Sequence, residues 1–163
     1  MVSKRLSKEQ GHQRKFLAVI DDTPECDRAV MYAAMRAAKT GGALTLTYFI
    51  EPADFQHWIG VEEIMRAEAR DEADGQLARF AQMAREKANL DPEIVIREGK
   101  TAEEIVKLIE DDQDIAILVL AAGESNEGPG PLVSSIAGRS AVFPIPVVVV
   151  PCSMSDEEID AVT

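Results

Sequence analysis

Five short, largely apolar runs punctuate the chain, each bounded by charged residues, glycine or proline, with amphipathic stretches between them. The first, Lys15-Phe-Leu-Ala-Val-Ile20, is continuously apolar after its lysine rather than alternating, which predicts a strand covered on both faces. Thr23 and Pro24 follow as an N-cap and first helical position, where proline's missing N–H costs nothing. The helix they open is expected to run to Lys39, with Cys26, Val30, Ala33, Ala34 and Ala37 forming a small-residue face that can lie close to a sheet. Thr40-Gly41-Gly42 stops it, and 43–50 reads as a second strand. Residues 61–87 are long, charged and helical. Ala73, Leu77, Phe80, Ala81, Ala84 and Ala88 recur at helical spacing, so the second half is expected to pack, the first half to project and Gly75 to mark a break. Pro92 opens a third strand over 93–97. Thr101-Ala-Glu-Glu104 has the form of a capping box ahead of Ile105, Val106, Leu108 and Ile109. A fourth strand over 114–121, a helix from Pro131 ending before Pro144, and a fifth strand over 147–150 complete the pattern. Such alternation predicts a single-domain, three-layer α/β/α fold: a parallel sheet, right-handed crossovers and helices on both faces.

Length and charge narrow the function classes. At 163 residues the chain fits one domain, expected at 15–151. Residues 1–14 read as a flexible basic arm, the first fifteen positions carrying five bases against Glu9. They have no apolar core that would make a signal peptide. Residues 152–163 read as an acidic tail with Asp156, Glu157, Glu158 and Asp160. The net charge of −12 repels phosphate backbones over a Debye length of roughly 8 Å, which argues against nucleic acid as a partner. No apolar run approaches the ~18 residues of a membrane span, so no membrane partner is expected. Cys26 and Cys152 lack metal or CxxC spacing, and His12 and His57 lack ligand partners. A reducing cytoplasm is the expected location. Cys26 falls in a first helical turn, where the dipole favours a thiolate, but a buried, inert thiol is the stronger reading.

The loop over 123–131, at the carboxyl end of the fourth strand, is where an open α/β sheet places a ligand. Its glycines Gly123, Gly128 and Gly130 would let backbone N–H groups approach a phosphate. The following helix adds a partial positive charge, and Ser134 and Ser135 add hydroxyls. Against this cradle, Pro129 and Pro131 each remove a donor, and Glu124 and Glu127 add negative charge. At about 5 Å and an effective dielectric of about 20, each acid costs roughly 3 kcal/mol per phosphate charge. No Lys or Arg lies between Gly123 and Arg139, so a triphosphate would need a divalent cation. A rigid strand-to-helix connection is the other reading of the same loop, and both stay open. Phe55 and Trp58, in the loop after the second strand, are candidates for a lid, a subunit contact or ordinary packing.

Ala18-Val-Ile-Asp-Asp-Thr-Pro-Glu25 entering an alanine-rich helix, together with the strand, glycine loop, helix and Pro146-Val-Val-Val-Val150 ending, resembles the universal stress protein family over 15–151. The resemblance implies a five-stranded sheet in order 3-2-1-4-5 with a site between strands 1 and 4. It also implies dimers joined through strand 5 and, in one subset, ATP. That subset carries Gly-x2-Gly-x9-Gly-(Ser/Thr), which falls here on Ala121, Glu124, Ser134 and Ser135, so only the final hydroxyl survives. Gly128 and Gly138 offer another register, but Ser125 and Arg139 then fill the remaining motif positions. The implied nucleotide site comprises Val19, Ile20, Asp21 and Asp22 at the end of strand 1, with Asp21 accepting hydrogen bonds from adenine or ribose. It adds Tyr48 or Phe49 on strand 2 and Ala121, Gly123, Gly128, Gly130, Ser134 and Ser135 after strand 4. Asp22 and Thr23 capping the first helix is the competing reading of that acidic pair. The implied cofactor is ATP with Mg²⁺, or none. The apolar edge formed by Val147, Val148, Val149 and Val150 predicts a homodimer, because unpaired backbone groups at a sheet edge invite another strand.

These readings converge on a cytoplasmic binding and regulatory protein of the stress response without dedicated catalysis. Two alternatives compete. A phosphoacceptor receiver would use Asp21, Asp22 and an acceptor such as Asp54, but no lysine follows Val150 where such a domain needs one. A slow nucleotide hydrolase is the other, though no GxxxxGK(S/T) loop and no base–nucleophile pair is present.

Overall fold

The apolar runs become five strands: β1 (Lys15–Ile20), β2 (Ala43–Ile50), β3 (Glu93–Glu98), β4 (Ile115–Ala122) and β5 (Val147–Pro151). In this computed structural model, which describes residues 3–52, 61–124, 130–138 and 143–163, they form one sheet in order β3-β2-β1-β4-β5. Every pairing is parallel. Parallel strands need crossovers, and these carry helices α1 (Cys26–Lys39), α2 (Val61–Ala88), α3 (Thr101–Asp111) and α4 (Pro131–Ala137); α5 (Asp156–Val162) follows β5. β1 shows why its run is unbroken. Phe16, Ala18 and Ile20 join the core under α1, α2 and α5, whereas Leu17 and Val19 join the core with Ile105, Leu108 and Ile109 of α3 and Ile136 of α4. The alanine face of α1 does what small side chains permit: Ala29, Ala33, Ala34 and Ala37 are all buried against the sheet.

Where α1 ends, the Gly42 N–H donates to the Ala37 carbonyl (2.8 Å) around Gly41, whose φ of +66° favours glycine. A Cβ on Gly42 would lie 2.8 Å from the Arg14 carbonyl oxygen, so chain closure onto β2 requires glycine there.

Four local expectations change. α1 begins at Cys26, not at Pro24, because the Asp21 carboxylate accepts both the N–H and the hydroxyl of Thr23 and holds that segment out of the helix. α2 runs unbroken through Gly75, since a glycine costs a long helix only about 1 kcal/mol. Thr101 does not cap α3: it is the first helical residue, and its N–H and hydroxyl both donate to Glu51 Oε1. The segment expected as a flexible arm lies, from Ser3 onward, against the end of α3. There Arg5 Nη1 donates to the carbonyls of Ile109 (2.6 Å), Asp112 (3.2 Å) and Ile115 (3.1 Å), and the Leu6 N–H donates to the Gln113 carbonyl (2.9 Å). In the acidic tail, Ser155 and Glu158 form a reciprocal capping box at the start of α5, and Ile159 is fully buried in the core beneath α1.

Candidate functional site

From β1 the chain winds outward through β2 and β3, then crosses back to place β4 on the other side of β1. Such a reversal opens a crevice beyond the carboxyl ends of the central strands. A cavity of about 630 Å³ lies there. Its floor is apolar, made of Val19 and Ile20 from β1 and Tyr48, Phe49 and Ile50 from β2. Met65, Ala69 and Glu72 of α2 form one wall. Thr101 and Ala102 of α3 and Pro131, Leu132 and Ser135 of α4 form the opposite one. Asp21, Asp22, Thr23 and Glu51 complete the lining.

Of the site residues expected from sequence, Val19, Ile20, Asp21, Asp22, Tyr48 and Ser135 come together around this cavity. Ala121 and Gly130 instead line a smaller adjoining space of about 60 Å³, shared with Cys26 and Ala29. Gly123 sits against another side chain: a Cβ there would lie 2.9 Å from Glu25 Oε1. Ser134 is exposed and lines neither space. Gly128, Asp54, Phe55, His57 and Trp58 lie outside the described residues. Sequence reasoning missed Glu51, Thr101 and the α2 wall. The wall had a signal, since Met65, Ala69 and Glu72 share one helical face at i, i+4 and i+7.

Electrostatics sets the character of the cavity. Asp21, Asp22, Glu51 and Glu72 bring four carboxylates to its lining, and no Lys or Arg lines it among the described residues. Burial raises the Tyr48 phenol pKa, and the charges of Asp22, Glu72 and Asp21 raise it further. Cys26 lies behind the site with its sulfur 3.7 Å from the Val19 carbonyl oxygen; burial, above all, pushes its thiol up to about 12. It is therefore a protonated packing group at neutral pH. Among the described residues no three His, Cys, Asp or Glu side chains are placed to hold a metal ion.

An apolar floor with an acidic acceptor suits a purine ring and its ribose. A triphosphate fits poorly. Among the described residues no Lys or Arg lines the walls, the Thr101 N–H is taken by Glu51, and Pro131 opens α4 without an N–H.

The family model described as the universal stress protein family matches residues 13–151. The chain belongs to that family. A search of the curated proteins finds no match. Among solved structures, the universal stress protein UspA from Lactobacillus plantarum is 17% identical, with a TM-score of 0.70 over 85% of this chain and 97% of its own. A universal stress protein in complex with cAMP is 17% identical, with a TM-score of 0.65 over 86% and 98%. The universal stress protein from Archaeoglobus fulgidus in complex with dAMP is 15% identical, with a TM-score of 0.57 over 85% and 98%. These similarities establish a common fold. The expected order 3-2-1-4-5 is the observed one and differs from the 2-1-3-4-5 of receiver domains, which removes the phosphoacceptor alternative. Among the described residues no helix is long and apolar enough to cross a membrane.

Proposed function

We propose that this universal stress family member is a cytoplasmic binding and regulatory protein of the stress response that holds an adenine nucleotide in the 630 Å³ cavity and performs no dedicated catalysis. The observation that carries the reading is the cavity itself: an apolar, aromatic-bearing floor at the switch point of the sheet, with Asp21 at its mouth as acceptor. Two family members with the same fold were solved with cAMP and dAMP, which supports an adenine ligand here. ATP with Mg²⁺ is the ligand that the ATP-binding subset of the family suggests, and the one the wall chemistry favours least. The lining offers acids and hydroxyls without a base–nucleophile pair, which favours binding over turnover. We also propose pairing of two copies through β5, where Val149 is exposed at the sheet edge between Pro146 and Pro151.

Calorimetric titration of the full chain with adenosine, cAMP and ATP–Mg²⁺ tests the ligand. Saturable heat for any of them, abolished by Val19→Trp at the floor, supports the reading. Silence for all three at millimolar ligand, with no nucleotide released on denaturing the protein, ends it. Light scattering tests the pairing, and a mass near 17.8 kDa at micromolar concentration would refute it.

A further inference from the structure

We infer that the cavity selects its occupant by charge, taking an adenine nucleoside or a nucleotide of one negative charge and rejecting the triphosphate, with Glu51 as the residue that sets this selectivity. The inference rests on the adenine reading above and specifies its ligand class.

Three separate elements deliver the negative charge: Asp21 and Asp22 follow β1, Glu51 follows β2, and Glu72 projects from α2. No Lys or Arg among the described lining residues offsets their convergence on one cavity. Lys100, next to Thr101 in the chain, is exposed and stands outside the lining. Tyr48 reports the resulting field from the floor, its phenolate disfavoured by Asp22, Glu72 and Asp21 in addition to burial.

Phosphate groups are ordinarily received at helix N-termini, where unpaired N–H groups and the macrodipole favour an anion. Two helices present their first residues to this cavity, and neither offers its first N–H to an anion. α3 is eleven residues long, and its first N–H and hydroxyl, those of Thr101, are held by Glu51 Oε1 at 3.2 and 3.0 Å. The protein's own carboxylate thus stands where a ligand's anionic group would gain most. α4 begins with Pro131, which has no N–H to offer. A neutral base and ribose meet none of this opposition. Each further phosphate charge meets all four carboxylates within a space comparable to the Debye length of about 8 Å, so salt screens the repulsion without abolishing it.

Titrate the full chain with adenosine, cAMP and ATP–Mg²⁺ at low and high salt, alongside Glu51→Gln. Adenosine and cAMP are expected to bind at least tenfold more tightly than ATP, with the gap narrowing at high salt. Glu51→Gln is expected to shift the ATP-to-adenosine affinity ratio toward ATP by at least threefold. ATP binding as tightly as adenosine to the unmodified protein overturns charge selection and leaves the adenine site standing. No binding by any of the three overturns the adenine reading and the selection with it. A ligand-free measurement isolates the field. In a Tyr32→Phe background, the ultraviolet titration of Tyr48 should move downward by several tenths of a pH unit on Glu72→Gln or Asp22→Asn. An unmoved phenol overturns the proposed field whatever the ligands do.

Discussion

The two ends of the sheet each gather four carboxylates, and they treat them in opposite ways. At the amino-terminal end Glu93, Asp111, Asp112 and Asp114 border a depression of about 420 Å³, and basic side chains answer them. Lys15 bridges Glu93 (2.8 Å) and Asp112 (2.7 Å), Arg97 holds Asp111 (2.8 Å), and His12 Nδ1 meets Asp114 (2.7 Å). At the carboxyl-terminal end Asp21, Asp22, Glu51 and Glu72 surround the larger cavity, whose described lining has no Lys or Arg. Hydroxyls and N–H groups from Thr23 and Thr101 satisfy two of the four acids there, and among the described residues no cation of the lining neutralises any of them. The first arrangement ties chain segments together. The second leaves negative charge facing an apolar hollow.

If that division holds, damage at the amino-terminal end should lower stability without touching ligand affinity. The largest effect is expected for Arg5→Ala, which strips three carbonyls at the α3–β4 corner of their guanidinium donor. A loss of about 2 kcal/mol in urea unfolding is expected, with adenosine affinity unchanged. A smaller loss of about 1 kcal/mol is expected for Lys15→Met, whose ammonium is mostly shielded from solvent and which leaves Asp112 and Glu93 without their partner. This residue also sets an alkaline signature. Burial pulls the Lys15 pKa down, but hydrogen bonds and charge pairing with Asp112 and Glu93 outweigh that and raise it. The pair's contribution is therefore complete below the ordinary lysine value of 10.5 and fades as pH climbs through the raised one. Unfolding followed from pH 9 upward should fall away more steeply in the unmodified protein than in Lys15→Met.

The same division explains what could be read from the chain alone. β1 was legible because a doubly covered strand needs an unbroken apolar run, which Phe16 to Ile20 supplies, and β2 because Leu44 to Ile50 is rich in β-branched and aromatic residues. Their neighbours across the sheet came from the family resemblance, since no local pattern states which strand lies beside which. The helix starts were misread for a tertiary reason. Thr23-Pro24 and Thr101 through Glu104 carry sound local capping signals, yet Asp21 and Glu51 arrive from strand ends and take the threonine groups first. Glu51 lies fifty positions from Thr101, beyond any local rule. The acidic half of the site was visible in Asp21 and Asp22. Glu72 was not, because the first half of α2 was expected to project, whereas Met65 and Ala69 on the same face also line the cavity.

The smallest stability effect is expected at the carboxyl-terminal end, and its sign is the sharper test. Asp22 is exposed and lines the cavity beside Asp21, with Glu72 across from it acting on the same Tyr48 phenol. Removing its charge relieves like-charge repulsion and breaks no ion pair of the kind found at the other end. Asp22→Asn should thus leave urea stability unchanged or raise it by up to about 0.5 kcal/mol, the range typical of exposed charges. A carboxylate serving the fold would instead give a loss when neutralised. If Asp22→Asn costs as much as Lys15→Met, the two ends of the sheet are alike, and the acids around the cavity hold structure rather than choose a ligand.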